Sequence, residues 1–490
     1  MPSNDRTDVI IVGGGIVGAA IARELAKYDL NVLLLERHPD LAMETTKANS
    51  AILHAGFDAS PGSLKALLNV RGNELFRQLQ ADLGLELKLT GSLVVATSAA
   101  EMDAIGELYS RGGENGVPGL KILSREQVLD IEPNLTEQTL GALHAPTAGI
   151  ISPFGAALAF AENAALNGVK IIRECPVTAI AVTDGRIAGV HTPHGFIAAR
   201  FVVNAAGVGA DTVSRLAGDD SFRIKPRKGE YLLFDKKASC LVKTVVFPTP
   251  TKVSKGILVS PTVHGNMFVG PNALDCRDAD DVDTSAAGLA EIVAGAEKLV
   301  PGIPVGASIT QFAGLRAVAD GGDFIIGPSP AVGGLVHAAG IQSPGLTAAP
   351  AIAERVAAVL RDLGLEMKPN RRFNPVNPPR VLFSELDAAA RQALIRENPL
   401  YGRVICRCET ITEGEIVAAI HSVCGARTVD GVKRRTRAGM GRCQGGFCGP
   451  RVTAILAREL SLPVTAVRKD TVGSYLFFDK IPRLCEVDSR

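Results

Sequence analysis

Four cysteines near the C-terminal end stand in two tight elements, Cys406-Arg407-Cys408 and, thirty-four residues later, Cys443-Gln444-Gly445-Gly446-Phe447-Cys448. Four soft thiolates gathered in this way make a tetrathiolate site, for which zinc and an iron–sulfur cluster are the candidates. Zinc sites usually open with C-x2-C or longer. The C-x-C start, and the glycines beside the second pair that let backbone N–H groups approach cluster sulfides, favour a 2Fe-2S cluster. Four unligated structural thiols are the remaining reading. At the opposite end stands Gly13-Gly14-Gly15-Ile16-Val17-Gly18, a G-x-G-x-x-G run. Gly13 permits a tight turn, Gly15 lets backbone approach a pyrophosphate, and Gly18 lets helix and strand pack closely. Glu36, eighteen residues beyond Gly18, can accept hydrogen bonds from an adenosine ribose.

Between these ends lie polar residues suited to a small anionic substrate: His54, Lys65, Lys252, Lys255, His264 and Arg316. Arg316 can grip a carboxylate or phosphate with two parallel hydrogen bonds, or it can serve a surface or interdomain salt bridge. His54 can act as a base or hydrogen-bond partner at a hydroxyl under oxidation, or it can support a loop. A lysine opening a helix, as Lys65 does, is commonly just solvated.

The elements that must position these groups follow from periodicity. Asp8 to Val12 is a short β-branched run, Ile16 to Tyr28 places apolar residues at helical spacing, and Asn31 to Leu35 is a second apolar run ending at Glu36, which together predict a βαβ unit with the helix N-terminus facing the phosphates. The polar stretch from Thr45 and Thr46 through Ser50, Ala51 and His54 to Gly56 reads as a flavin loop rather than another βα repeat. Phe201 to Gly207 predicts a buried strand ending in small residues, Ala206 and Gly207, where backbone can pass close to a nucleotide. Gly340 to Leu346 precedes a helix-like run from Thr347 to Leu360. Short β-rich runs such as Tyr231 to Phe234 and Met267 to Val269 predict a capping substrate domain. Residues 368–380, rich in Pro, Asn and Arg, read as a linker.

At 490 residues and 46% hydrophobic, the chain is expected to form two or three domains. Lys plus Arg number 52 against 51 Asp plus Glu, so no overall basic field exists to hold nucleic acid. The N-terminus lacks a signal-peptide pattern and no window gives an uninterrupted apolar span, so a cytoplasmic protein without a transmembrane segment is expected. Cys175, Cys240, Cys276, Cys424 and Cys485 are scattered and read as ordinary thiols.

The chain resembles the D-amino-acid-oxidase superfamily of FAD enzymes over residues 1 to about 365, and within it FAD-dependent glycerol-3-phosphate dehydrogenases and L-2-hydroxyglutarate oxidases. The resemblance implies an α/β fold: a discontinuous Rossmann-type FAD-binding domain (about 1–85, 146–221 and 321–365) with an antiparallel-sheet substrate domain (about 86–145 and 222–320). It implies that Gly13, Gly15, Ile16, Val17, Gly18, Glu36 and Arg37 serve the ADP half of FAD, with Val177 and Ala206-Gly207 also in the nucleotide site. Thr45, Thr46 and Ser50 to His54 would lie at the flavin, and Gly340, Ile341, Gly345 and Leu346 at its pyrimidine edge. Arg316 resembles the family's anion-binding arginine, and Lys65 fits a G-S-L-K-A element of the hydroxyglutarate relatives. Arg227 to Tyr231 matches a further family element without a role for its side chains.

Beyond a linker at 366–400, residues 401–455 resemble the bacterioferritin-associated-ferredoxin-like (BFD-like) domain, small and α-rich, with Cys406, Cys408, Cys443 and Cys448 as cluster ligands. Residues 456–490 remain as a tail. Arg434 to Gly441 matches the version that ends the large subunit of anaerobic glycerol-3-phosphate dehydrogenase. A flavin takes two electrons as a hydride and a 2Fe-2S centre passes one, so the module reads as an exit wire to a redox protein or subunit, through which any peripheral membrane association would run; alternatively it stabilises the fold or senses iron. The leading expectation is oxidation of sn-glycerol 3-phosphate to dihydroxyacetone phosphate. L-2-Hydroxyglutarate is the rival, an amine comes third, and a non-catalytic electron-transfer subunit, marked by Arg316 facing solvent, is the alternative from a different class.

Overall fold

The computed structural model describes residues 7–250 and 256–477. Lys252, Lys255 and Cys485 lie outside the described residues. The chain divides into two compact units, one running through Pro379 and the other from Arg380 onward together with His38–Asp40.

In the first unit, the strand Thr7–Val12 is central to an eight-stranded sheet. It pairs in parallel with Val32–Leu35 on one side and Gly195–Asn204 on the other. Val9, Ile10 and Ile11 are fully buried, as strands covered on both faces must be, and each such side chain contributes about 1.5–3 kcal/mol relative to exposure. The helix Ile16–Leu25 follows at once, and the helices Pro153–Leu166 and Gly345–Asp362 pack on it. Lys170–Ile172 and Leu335–Ala339 extend the sheet in parallel. The strands of this sheet thus come from three stretches of sequence.

A nine-stranded sheet forms the other layer, antiparallel except where Val245–Pro248 runs parallel to Ser92–Ala96. Its longest pairing joins Ile224–Phe234 to Ser308–Ala319. Leu93, Phe234, Val246, Val259 and Met267 form the core beneath it, with Ile292 and Ala296 of the helix Ala286–Glu297 packed against them.

Residues 366–400, expected as a linker, are ordered structure. Asp29 N–H donates to Lys368 O, and Asn163 Nδ2 reaches the carbonyls of Asn374 and Pro375, so the Pro- and Asn-rich stretch is strapped to the first unit by its backbone acceptors. A helix then spans Ala388–Glu397. The expected tail at 456–490 is likewise structured at its start: the helix Gly449–Glu459 crosses the boundary and Val467 packs into the module core.

In the second unit the helices Glu413–His421, Val429–Thr436 and Gly449–Glu459 enclose Ile416, Ile420, Val432, Val452 and Leu456. Thr412 and Glu415 close a reciprocal cap on the first of them. Asp40 is fully buried with Arg435 and Arg434 on its carboxylate, at 2.8 and 2.9 Å. Burial alone would raise its pKa, but charge and hydrogen bonds from Arg435, then Arg434, outweigh it and hold the carboxyl well below the usual range. A depressed pKa gives stability that is complete above the unfolded-state value of about 4 and is lost as pH falls toward the folded value. The stability advantage of wild type over Asp40→Asn is therefore expected to be constant above about pH 5 and to shrink below pH 4 by up to about 1.4 kcal/mol per pH unit. Thermal unfolding of both proteins across this range checks it; a gap independent of pH contradicts it.

Candidate functional site

The strand Thr7–Val12 delivers the chain into the glycine turn at φ +111° for Gly13, where a Cβ would stand 2.5 Å from Ala205 O. A Cβ on Gly18 would stand 1.9 Å from Gly13 O. Turn and helix are thus packed as closely as the spacing predicts. Gly14 N–H donates to Glu36 Oε2 at 2.7 Å, which fixes the buried Glu36 carboxylate at the turn. The helix Ile16–Leu25 begins at Gly15 without a side-chain cap on that residue, and Gly15, Ile16 and Val17 line an open cavity of about 980 Å³ counting its mouth. Backbone donors and the positive end of a helix dipole at a cavity wall suit a pyrophosphate.

The same cavity is walled by Thr45, Thr46, Ser50, Ala51 and His54, by Gly207, by Arg316, and by Ile341, Gly345 and Leu346. Segments distant in sequence therefore converge as expected. The Thr45–His54 loop is held from several directions: Thr45 Oγ1 donates to Leu315 O at 2.6 Å, Asn49 Nδ2 bonds the carbonyls of Thr45 and Thr46, and Ser50 Oγ meets Tyr231 Oη at 3.2 Å. Gly314 admits the loop, because a Cβ there would stand 1.9 Å from Ala48 O. Gly314→Ala is expected to push the loop off its strand and weaken FAD affinity at least about tenfold, since backbone cannot yield as a side chain can. Flavin fluorescence titration of apoprotein measures it, and unchanged affinity contradicts this placement.

His54 N–H donates to the buried Thr347 hydroxyl at 2.9 Å, and its Nε2 stands 3.5 Å from Ser343 Oγ. Arg316, half-buried, lines the cavity and donates from Nη2 to Asn272 O at 3.1 Å. Its side chain forms part of the cavity wall. Tyr231 lines the cavity too, stacked on Phe312 with ring centroids 4.7 Å apart. The sequence reading assigned it no role, although Arg227, Gly229 and Tyr231 alternate on one strand face, a signal that all three point to one side.

Other expected residues lie elsewhere. Lys65 is outside the cavity lining: its Nζ bonds Gly322 O and its backbone N–H donates to Asp323 Oδ1 at 3.1 Å, because Ser63 caps a helix that starts at Leu64. Arg37 is exposed and paired with Glu44. Val177 and Ala206 pack against the parallel-sheet core. Gly340, at φ +65°, sits against Ala319, where a Cβ would come within 2.8 Å of that methyl. His264 stands 3.7 Å from Glu86.

In the second unit the cysteine sulfurs meet in pairs. Cys408 and Cys443 Sγ are 3.7 Å apart, and Cys406 is hydrogen-bonded to Cys448. Among the described residues no three of His, Cys, Asp or Glu gather as a metal site. Two thiolates on one tetrahedral metal, with bonds of about 2.3 Å, stand roughly 3.8 Å apart, so two pairs fit a two-metal centre better than one zinc. The hydrogen bond with Cys448 and the backbone N–H groups of Gly439, Glu409 and Cys408 bring Cys406 down to about 6 despite burial. N–H groups of Phe447 and Gly445 likewise lower Cys443, while burial raises its partner Cys408 and the hydrogen bond with Cys406 raises Cys448. The backbone donors at Cys406 and Cys443 suit ligands of a 2Fe-2S cluster. A Cβ on Gly441 would stand 2.2 Å from Cys408 Cβ, so the glycine allows the two elements to close.

Residues 8–359 match the family model described as FAD dependent oxidoreductase (DAO), and residues 404–458 match the BFD-like [2Fe-2S] binding domain. The chain is 47% identical over 469 residues to a glycerol 3-phosphate dehydrogenase of Caloramator mitchellensis, covering 96% of this chain and 98% of that one. It is 31% identical to a glycerol 3-phosphate oxidase of Mycoplasma genitalium over 75% of this chain and 97% of the relative. Among solved structures, L-α-glycerophosphate oxidase from Mycoplasma pneumoniae with FAD bound superposes with a TM-score of 0.73 at 31% identity, over 77% of this chain and all of that one. The chain belongs to the FAD dependent oxidoreductase family and carries a BFD-like [2Fe-2S] binding domain at its C-terminal end.

Proposed function

We propose that the protein oxidises sn-glycerol 3-phosphate to dihydroxyacetone phosphate. The observation that carries this reading is the placement of Arg316 and His54 on the walls of one cavity that also receives the glycine turn; the relative at 47% identity, matched over nearly its whole length, supports the substrate. When bound, FAD would supply the two-electron acceptor for a hydride from the C–OH carbon, and a 2Fe-2S cluster held by Cys406, Cys408, Cys443 and Cys448 would supply one-electron transfer onward to a redox protein or subunit.

The chain's own residues do the rest. Arg316 grips the phosphate with the fork of its guanidinium, a geometry that lysine does not offer. The Ser50–Tyr231 hydroxyl pair lines the same space and keeps the bound substrate oriented. His54, its backbone fixed by Thr347, receives the hydroxyl proton as the hydride departs. Positioning of this kind converts an encounter into an intramolecular reaction.

Among the described residues no helix is long and apolar enough to cross a membrane, and no cysteine is joined in a disulfide. The thiols support a reducing, cytoplasmic setting.

Anaerobic mixing of FAD-loaded protein with sn-glycerol 3-phosphate or with L-2-hydroxyglutarate, following the visible flavin absorption, tests the assignment. Rapid bleaching by glycerol 3-phosphate alone is expected. Bleaching by L-2-hydroxyglutarate alone overturns the substrate, and bleaching by neither overturns the reading.

A further inference from the structure

We propose that Gly229, Glu230 and Asn272 form a seat that sets the reach of the Arg316 guanidinium, and so determine affinity for an anionic substrate without touching it. The inference rests on the reading of Arg316 as substrate anchor. The strands Ile224–Phe234 and Ser308–Ala319 pair with Arg227 opposite Arg316 and Gly229 opposite Gly314, which puts Gly229 and Arg316 diagonally adjacent on one sheet face. A Cβ at Gly229 would stand 2.7 Å from Arg316 Nη2 and 2.7 Å from Pro271 Cβ. Glycine thus leaves a bare bed on which the guanidinium lies.

The far end of the bed is a clamp. Nη2 of Arg316 donates to Asn272 O at 3.1 Å. Asn272 is buried and held at both ends of its amide: Oδ1 accepts Glu230 N–H at 2.9 Å, and Nδ2 donates to Glu230 Oε2 at 2.9 Å and Glu291 Oε2 at 3.2 Å. Glu230 is itself fully buried, and its other oxygen accepts Ser285 N–H at 2.7 Å, at the start of the helix Ala286–Glu297. Helix and carboxylate approach so closely that a Cβ on Gly288 would stand 1.4 Å from Glu230 Oε2. A buried carboxylate met by fixed donors is rigid, and it transmits that rigidity through Asn272 to the carbonyl that Arg316 needs. With one guanidinium N–H committed to that carbonyl, the others remain for the anion.

Glu230→Gln keeps the shape of the clamp while giving its end an N–H that faces the donors of Asn272 or Ser285. In the FAD-loaded protein this substitution is expected to raise KM for sn-glycerol 3-phosphate and Kd for dihydroxyacetone phosphate about tenfold, with kcat changed less than about threefold. In an Arg316→Ala background the same substitution should change Kd less than about twofold, since residues acting through one contact are not additive. Equal effects in both backgrounds, or no effect on Kd in a variant with full FAD content, overturn the seat. Gly229→Ala, whose added methyl displaces the guanidinium directly, gives the same cycle if Glu230→Gln does not fold. If Arg316→Ala alone leaves Kd unchanged, the anchor itself is wrong and the seat falls with it; if Arg316→Ala weakens binding but the cycle is additive, only the seat fails.

Discussion

Arg316→Ala is expected to lower kcat/KM for sn-glycerol 3-phosphate by two to three orders of magnitude. Truncating one partner of a desolvated, hydrogen-bonded charge pair costs about 2–5 kcal/mol, and each 1.4 kcal/mol is roughly a factor of ten. Arg316 is half-buried in the cavity wall and stands on a strand paired over its length to Ile224–Phe234, so the protein should fold and bind FAD without it. Arg316→Lys should recover only part of the loss, because an ammonium cannot reproduce two parallel hydrogen bonds. Steady-state kinetics with FAD content measured on the same samples checks this. A change below about threefold contradicts an anchoring role.

Cys408→Ser should uncouple the two redox sites. Cys408 is an exposed member of the Cys408–Cys443 pair, so its replacement removes a thiolate ligand while leaving the buried Cys406 and Cys448 in the module core. Iron content and the cluster's electron paramagnetic resonance signal should be lost. Flavin reduction by substrate should stay within about twofold of wild type, while turnover with a protein acceptor falls at least about a hundredfold, since the flavin's electrons then lack a one-electron relay. Slow flavin reduction in the variant would show instead that the module supports the fold of the catalytic unit, and undiminished turnover would show that electrons leave from the flavin directly.

How far each feature could be read in advance depends on how local its cause is. The glycine turn and Glu36 were legible because strand, turn, helix and second strand follow one another within about thirty residues, and each constrains the next. The cysteine module was legible in part: each tight element brings two cysteines together, but the pairing of sulfurs across the elements, Cys408 with Cys443 and Cys406 with Cys448, follows only from the fold of the module. Arg316 could be singled out by residue type, but its seat could not, because Glu230, Asn272 and Ser285 meet only when two long strands and a helix pack across the substrate sheet. Lys65 was misplaced because a lysine after Ser63 fits both a substrate element and a plain helix start, and the structure uses it for the latter, with Asp323 holding the first backbone N–H groups. The Pro- and Asn-rich stretch after Leu365 misled in a related way. Residues that cannot continue a helix still bind as a strap when a neighbour such as Asn163 supplies donors for their carbonyls.

One anaerobic single-turnover measurement tests both redox steps at once: holoprotein mixed with one equivalent of sn-glycerol 3-phosphate, with dihydroxyacetone phosphate quantified and the cluster's electron paramagnetic resonance signal recorded over time. Product is expected to form in step with flavin bleaching, followed by a reduced-cluster signal. Bleaching without any cluster signal would contradict the relay, and the absence of both product and bleaching would contradict the assigned chemistry.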